Sequence, residues 1–251
     1  MRAICSLIAA LGTILVITGA SAQSNPQRFT VSTASGPILV ESFGSCLRPV
    51  CPAVIVLSGS KGFAARGYRN IEETLRAAGL DAYLVPVLSA DDLDAIATAN
   101  GAKARIAFYE RRMPDWITAV RRVIANLQSR PHQSGRVGVV GISLGADIAS
   151  AASIGQADVG ALVLVDGGLP MGYSQPIRPL PPLLLIWGGA DRTFPLSVGR
   201  DLQRRAQGIG GSATLRVYEG GGHDFFLQAE NKTAGRAQQD TADFLTAHLS
   251  P

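Results

Sequence analysis

The feature that most constrains this chain is the segment Val137-Gly-Val-Val-Gly141-Ile-Ser143-Leu-Gly145. Its short β-branched apolar run reads as a fully buried parallel strand. It passes without a spacer into Gly-x-Ser-x-Gly, and a small-residue helical stretch, Leu144 to Ile154, follows at once. A strand that turns directly into a helix through a serine between glycines makes a sharp elbow. Such a turn strains the serine backbone and lifts its hydroxyl above the sheet, and the glycines leave room for neighbouring backbone. The bland alternative is a Gly-rich packing turn whose serine caps the helix.

The rest of the chain repeats the alternation. Phe29–Ser32 and Ile38–Phe43 alternate around Ser35-Gly36-Pro37, which predicts a hairpin. Strands are predicted over Ala53–Leu57, Arg136–Ile142, Gly160–Val165, Leu183–Trp187 and Ala213–Tyr218, and Leu80–Leu88 is a further apolar run broken by Pro86. Helices are predicted over Tyr68–Ala78, Pro114–Leu127, Leu144–Ile154, Ser197–Gln207 and Glu230–Leu249. Residues 89–112 are polar and Ala-rich without a clear period, and residues 170–182 form a Pro-rich excursion. Strands alternating with helices imply an α/β fold whose mostly parallel sheet is covered on both faces. With 251 residues, residues 23–251 fit one such domain. At 47% apolar and 17% charged, the composition is globular rather than disordered. The net charge of +4 comes from scattered cations, which reads as a solvated surface and not as a nucleic-acid-binding face.

The first 22 residues have the form of a secretory signal peptide: Arg2, an apolar run from Ala3 to Gly19, then Ala20-Ser21-Ala22. Cleavage after Ala22 would give a periplasmic or secreted chain starting at Gln23, with no stable membrane insertion. An uncleaved anchor is the rival, because the run approaches spanning length. Export suits the cysteines. Cys5 leaves with the leader, and Cys46 and Cys51 remain as a pair that would close a small disulfide loop in an oxidising compartment.

An elbow serine needs a histidine and an acid later in the chain, in the order Ser, acid, His. There are three histidines. His132 precedes Ser143, and His248 sits in the last turn of a helix, where an end role suffices. His223 lies in Glu219-Gly-Gly-Gly-His-Asp-Phe, on a Gly-rich loop after the last strand, from which it can reach back over the sheet. The acid is Asp191 in Trp187-Gly-Gly-Ala-Asp-Arg-Thr-Phe-Pro, with Asp166 in Val165-Asp-Gly-Gly as the rival one strand earlier. Asp224 reads as a surface residue. The oxyanion donors expected are the backbone N–H groups of Leu144 and of Ser60, the latter in the loop after Ala53–Leu57.

Other patterns are weak. Ser58-Gly-Ser-Lys61 matches S-x-x-K but lies in a Gly loop after a strand, and the same stretch lacks the spacing of a phosphate-binding loop. Asn231-Lys-Thr is a glycosylation sequon, meaningful only in a eukaryotic secretory pathway. Neither a metal cluster nor a dinucleotide fingerprint is present in the sequence, so no cofactor is expected.

Three segments resemble the dienelactone hydrolase family: Val137-Gly-Val-Val-Gly-Ile-Ser-Leu-Gly-Ala, Leu185-Ile-Trp-Gly-Gly-Ala-Asp-Arg-Thr-Phe-Pro and Val217-Tyr-Glu-Gly-Gly-Gly-His-Asp-Phe. The likeness covers most of residues 50–250 and implies the α/β-hydrolase fold. The elbow also resembles the catalytic domain of acyl-CoA thioesterases and bile-acid acyltransferases. Departures are Ser143 where that family has Cys, Gly59 where it has an acidic residue, and no Arg shortly after His223. The expected function is a serine carboxylic-ester hydrolase acting on a small or medium substrate through an acyl-enzyme. A thioesterase or peptidase with the same triad, or a non-catalytic binding protein of this fold, are the alternatives. Residues 89–113 and 170–181 are expected to rim the pocket. Lys103, Arg105, Arg111 and Arg112 read as a solvated helix face.

Overall fold

The apolar runs become strands because nothing in them can face water. β3 (Ala53–Leu57), β5 (Val137–Ile142), β6 (Val159–Val165) and β7 (Leu183–Gly188) are buried at every position. The computed structural model describes residues 27–42, 51–130, 135–173 and 179–249. The leader, Cys46 and His132 lie outside the described residues, so the readings made of them are not addressed by the fold.

The sheet has eight strands in the order β1-β2-β4-β3-β5-β6-β7-β8, completed by β1 (Gln27–Thr33), β2 (Gly36–Ser42), β4 (Asp81–Leu84) and β8 (Ala213–Tyr218). β1, β2 and β4 pair antiparallel at one end, and every other pairing is parallel. Alternate residues of the same apolar strands build two cores. Ile55, Leu57, Val139, Leu162 and Leu185 join α3 (Gly101–Gln128), α4 (Leu144–Ser153) and α5 (Leu196–Gly208) on one face. Val54, Val56, Val140, Val163 and Ile186 meet α1 (Gly67–Ala77) and α6 (Lys232–Leu249) on the other. This two-sided cover is what a parallel sheet requires. Among the described residues, no helix is long and apolar enough to cross a membrane.

Residues 89–112 depart from the sequence reading. They form α2 (Ala90–Thr98) and the first half of α3, which therefore starts at Gly101 and not at Pro114. The first half of α3 is largely exposed, so it carries no apolar stripe to reveal its period. Pro114 removes one backbone donor but does not end the helix, and Thr118 donates its hydroxyl to the Pro114 carbonyl at 2.8 Å. α2 starts with a capping box. The Ser89 hydroxyl accepts from Asp92 N–H, and the Asp92 carboxylate accepts from Ser89 N–H. β4 ends at Leu84, two residues before Pro86, which has no N–H to donate to a ladder.

Candidate active site

The site sits at the C-terminal ends of β3, β5, β6 and β7. Ser143 has φ +54° and ψ −119°, and its N–H donates to the Val165 carbonyl of the neighbouring strand. Among the described residues it is one of two non-glycines with positive φ; the other is Asp166, at φ +45°. The glycines of the elbow are needed for clearance. A Cβ on Gly141 would lie 2.3 Å from the Gly145 carbonyl oxygen, and one on Gly145 would lie 2.5 Å from that of Leu57. Gly167 is as tight, at 2.6 Å from the Ser143 carbonyl oxygen. Such approaches exclude any side chain, so the elbow can form only with glycine at these places.

His223 comes over the sheet from the Gly-rich loop after β8. Its Nε2 lies 2.9 Å from Ser143 Oγ, and its Nδ1 lies 2.8 Å from Asp191 Oδ2. With the proton on Nδ1, the histidine donates to Asp191 and accepts from the Ser143 hydroxyl. The Asp191 side chain is fully buried and its other oxygen accepts the N–H groups of Thr193 and Phe194 at 2.7 and 3.0 Å. Three donors on one carboxylate suit a charged acid. Phe194 then stacks on the imidazole with centroids 5.5 Å apart, fixing the ring plane. Gly188 leaves room for the histidine loop, since a Cβ there would meet the Gly221 oxygen at 2.5 Å.

The loop after β3 faces the serine. A Cβ on Gly59 would lie 3.4 Å from Ser143 Cβ and 3.9 Å from its Oγ, so position 59 opposes the hydroxyl across ordinary van der Waals distance. Gly59 N–H is already engaged, donating to the Tyr68 hydroxyl at 2.9 Å. Burial pushes that phenol up to about 12, which keeps it neutral. Ser60 follows, with its side chain against the Tyr109 hydroxyl of α3. Thus α3 reaches the site through Tyr109.

Two further acids surround the elbow. Asp147, four residues after the serine, accepts Gly168 N–H at 3.0 Å and ties α4 to the loop after β6. Burial pushes its carboxyl up to about 8 against that bond. Sequence reasoning passed over Asp147, although a charged residue in the small-residue helix Leu144–Ser153 was the available signal. Asp166 lies beside the serine–histidine pair but does not hold the histidine: its Oδ1 accepts Gly188 N–H at 2.7 Å. Asp166, Asp191 and His223 each bring one polar atom within 4.8 Å of the others. In this trio His223 Nδ1 is already engaged by Asp191.

The remaining sequence candidates fall elsewhere. Asp224 is exposed and pairs with Lys61 at 3.7 Å. His248 donates Nδ1–H to the Phe244 carbonyl within its own helix. Cys51 is buried two residues before β3, and its expected partner Cys46 is outside the described residues.

Several solved structures share the fold. A dienelactone hydrolase from Anabaena variabilis superposes with a TM-score of 0.69 at 20% identity, covering 89% of this chain and 99% of that one. An esterase from Pyrobaculum calidifontis gives 0.69 at 15% identity, covering 89% and 85%. An acylaminoacyl peptidase from Pyrococcus horikoshii gives 0.69 at 14% identity over 90% of this chain, which spans only 42% of that larger protein. No curated protein matches the chain in sequence. The family model of the dienelactone hydrolases matches residues 44–249, more than half of the chain and all of the site, and the chain belongs to the dienelactone hydrolase family.

Proposed function

We propose that the chain is a serine hydrolase that cleaves carboxylic esters of small or medium acyl substrates through an acyl-enzyme on Ser143. The observation that carries this is the continuous hydrogen-bonded path from Ser143 Oγ through His223 to Asp191, at 2.9 and 2.8 Å, on a strained elbow. A free serine hydroxyl is a poor nucleophile. His223 Nε2 takes its proton as Oγ attacks the carbonyl carbon, and Asp191 stabilises the imidazolium. The oxyanion is received by Leu144 N–H, which as the first helical residue has no intrahelical acceptor, and by Ser60 N–H. Collapse expels the alkoxide, which collects the proton from His223. Water, deprotonated by the same imidazole, then releases the acid. Gly59 supports an alcohol nucleophile: position 59, opposite Ser143, places no negative charge against the developing oxyanion.

The same parts transfer acyl groups from thioesters or amides, and a substrate panel separates these. Labelling of the purified mature chain by a fluorophosphonate tests the nucleophile. One adduct by intact mass on wild type and none on Ser143→Ala is expected; no adduct on folded wild type overturns the reading. We further propose export by way of residues 1–22 and a Cys46–Cys51 disulfide, supported by the leader sequence and by the burial of Cys51. The same mass spectrum reads both, through a mature chain starting at Gln23 and a loss of two hydrogens reversed by reductant.

A further inference from the structure

Asp166 is a carboxylate that ordinary packing does not explain. It is fully buried and stands at φ +45°, a left-handed backbone that strains a residue carrying a side chain. Its Oδ1 accepts Gly188 N–H, and its backbone N–H donates to the Ile186 carbonyl, so it is clamped to β7 by both ends. Its Oδ2 has no hydrogen-bond partner. A buried acid with an unused oxygen is retained at a cost unless the oxygen has a use. The only other strained non-glycine among the described residues is Ser143, one strand away.

We propose that Asp166 is a reserve acid of this site, a positioning residue that takes over the His223 imidazole when the Asp191 carboxylate is lost. The inference rests on the Ser143–His223 reading above. The distance permits it. With the three polar atoms within 4.8 Å, a shift of at most roughly 2 Å brings the imidazole to hydrogen-bond range of Asp166.

The charge balance supports the division of labour. Burial pushes the Asp166 carboxyl up to about 8, Gly188 N–H opposes this, and the charges of Asp191 and Asp224 reinforce it. On the α4 side the nearest acid is Asp147, held by Gly168 N–H and itself pushed up by burial. Burial therefore favours the protonated form of Asp166, while Asp191, with two further backbone donors, is the acid that faces His223. Two carboxylates this close do not both ionise readily. Removing the Asp191 charge makes Asp166 easier to ionise, although burial, the larger cause, still favours its proton. As pH rises Asp166 then releases that proton to solvent, and its carboxylate accepts the His223 N–H in place of Asp191.

The test is kcat/KM between pH 6 and 9.5 for wild type, Asp166→Asn, Asp191→Asn, the double variant and Ser143→Ala. Asparagine tolerates the left-handed backbone, so Asp166→Asn keeps the fold. Asp166→Gly is the second choice, free of backbone strain. A triad that loses its only acid loses on the order of 10⁴ in rate. With a reserve, Asp191→Asn is expected to lose only about 10²-fold and to gain activity as pH rises, as Asp166 ionises. Asp166→Asn alone is expected to cost several-fold, chiefly above pH 8, and the double variant to fall by the full ~10⁴. Equal cost of Asp166→Asn in both backgrounds, with no pH-dependent gain in Asp191→Asn, overturns the reserve role while leaving the nucleophile reading intact. Full activity in Ser143→Ala overturns both.

Discussion

Asp92 on α2 and Asp166 at the end of β6 are both buried carboxylates, and their surroundings treat them in opposite ways. Burial alone would push Asp92 up. Arg112 at 2.8 Å, the Trp116 Nε1–H at 3.0 Å and Ser89 N–H hold it below the ordinary carboxylate range instead. Arg112 is secured in turn by a second ion pair with Asp115. Asp166 has one backbone donor and an idle oxygen, and burial wins. The difference separates a buttress from a site. Both Asp92 oxygens are engaged, and they tie the start of α2 to α3. At the end of β6 Asp166 has a single donor, and its second oxygen is left without one.

The largest effect that sharpens this contrast is Ser143→Ala. It is expected to lose about 10⁶-fold in kcat with an unchanged thermal midpoint, read by steady-state kinetics beside calorimetry. A comparable loss of stability would show that the strand-end ledge also bears structural load. The complementary variant is Asp92→Ala. Trp116 Nε1–H loses its acceptor while Arg112 keeps Asp115, and the loss is expected to cost about 2 kcal/mol, or about 6 °C in Tm, with kcat per folded molecule unchanged. If activity falls before stability does, the buttress is part of the site after all, by way of Tyr109 and Ser60.

The two regions also respond to pH with opposite signs. The folded-state value of Asp92 is depressed, so its contribution is present above the ordinary carboxylate value and lost as pH falls through the lowered one. Asp147 and Asp166 are raised to about 8, so the folded state holds protons that the unfolded chain has released. Their contribution is complete at low pH and erodes between about pH 4 and pH 8. Asp147→Asn, which retains an acceptor for Gly168 N–H, is expected to raise stability at pH 9 by on the order of 1 kcal/mol, about 3 °C, and to do nothing at pH 4. A thermal melt at the two pH values decides it. The smallest effect is at Tyr68→Phe. Losing the acceptor for Gly59 N–H is expected to lower kcat roughly fivefold, the worth of a bond of about 1 kcal/mol, with little change in KM.

The same contrast explains what could be read without coordinates. The strands and the Ser143, Asp191 and His223 constellation were legible because local rules write them: β-branched runs, a glycine-flanked serine, an ordered set of titratable residues on loops after strands. The α2–α3 buttress was not, because its first half is exposed and its stability comes from Asp92 meeting Arg112 twenty residues on. The capping box Ser89–Asp92 was a local signal for α2 that went unused. The roles of Tyr68, Phe194 and Asp147 were illegible for a similar reason. Each acts through a contact with backbone or ring that only the turn of the chain brings near.

The clearances around the elbow carry a consequence for how this protein can vary. Gly141, Gly145, Gly167 and Gly188 each stand within 2.6 Å of where a methyl group would strike backbone oxygen. In a library of random substitutions these four positions would be depleted as strongly as the nucleophile itself, yet they carry no reactive atom. Reaction chemistry at residue 143 has a neighbour in sequence space, since a thiol occupies the volume of a hydroxyl with little disturbance. The socket has none. A lineage built on this elbow is free to trade its reactive atom and rebuild its loops, and what it must inherit unchanged is the empty space between the backbones.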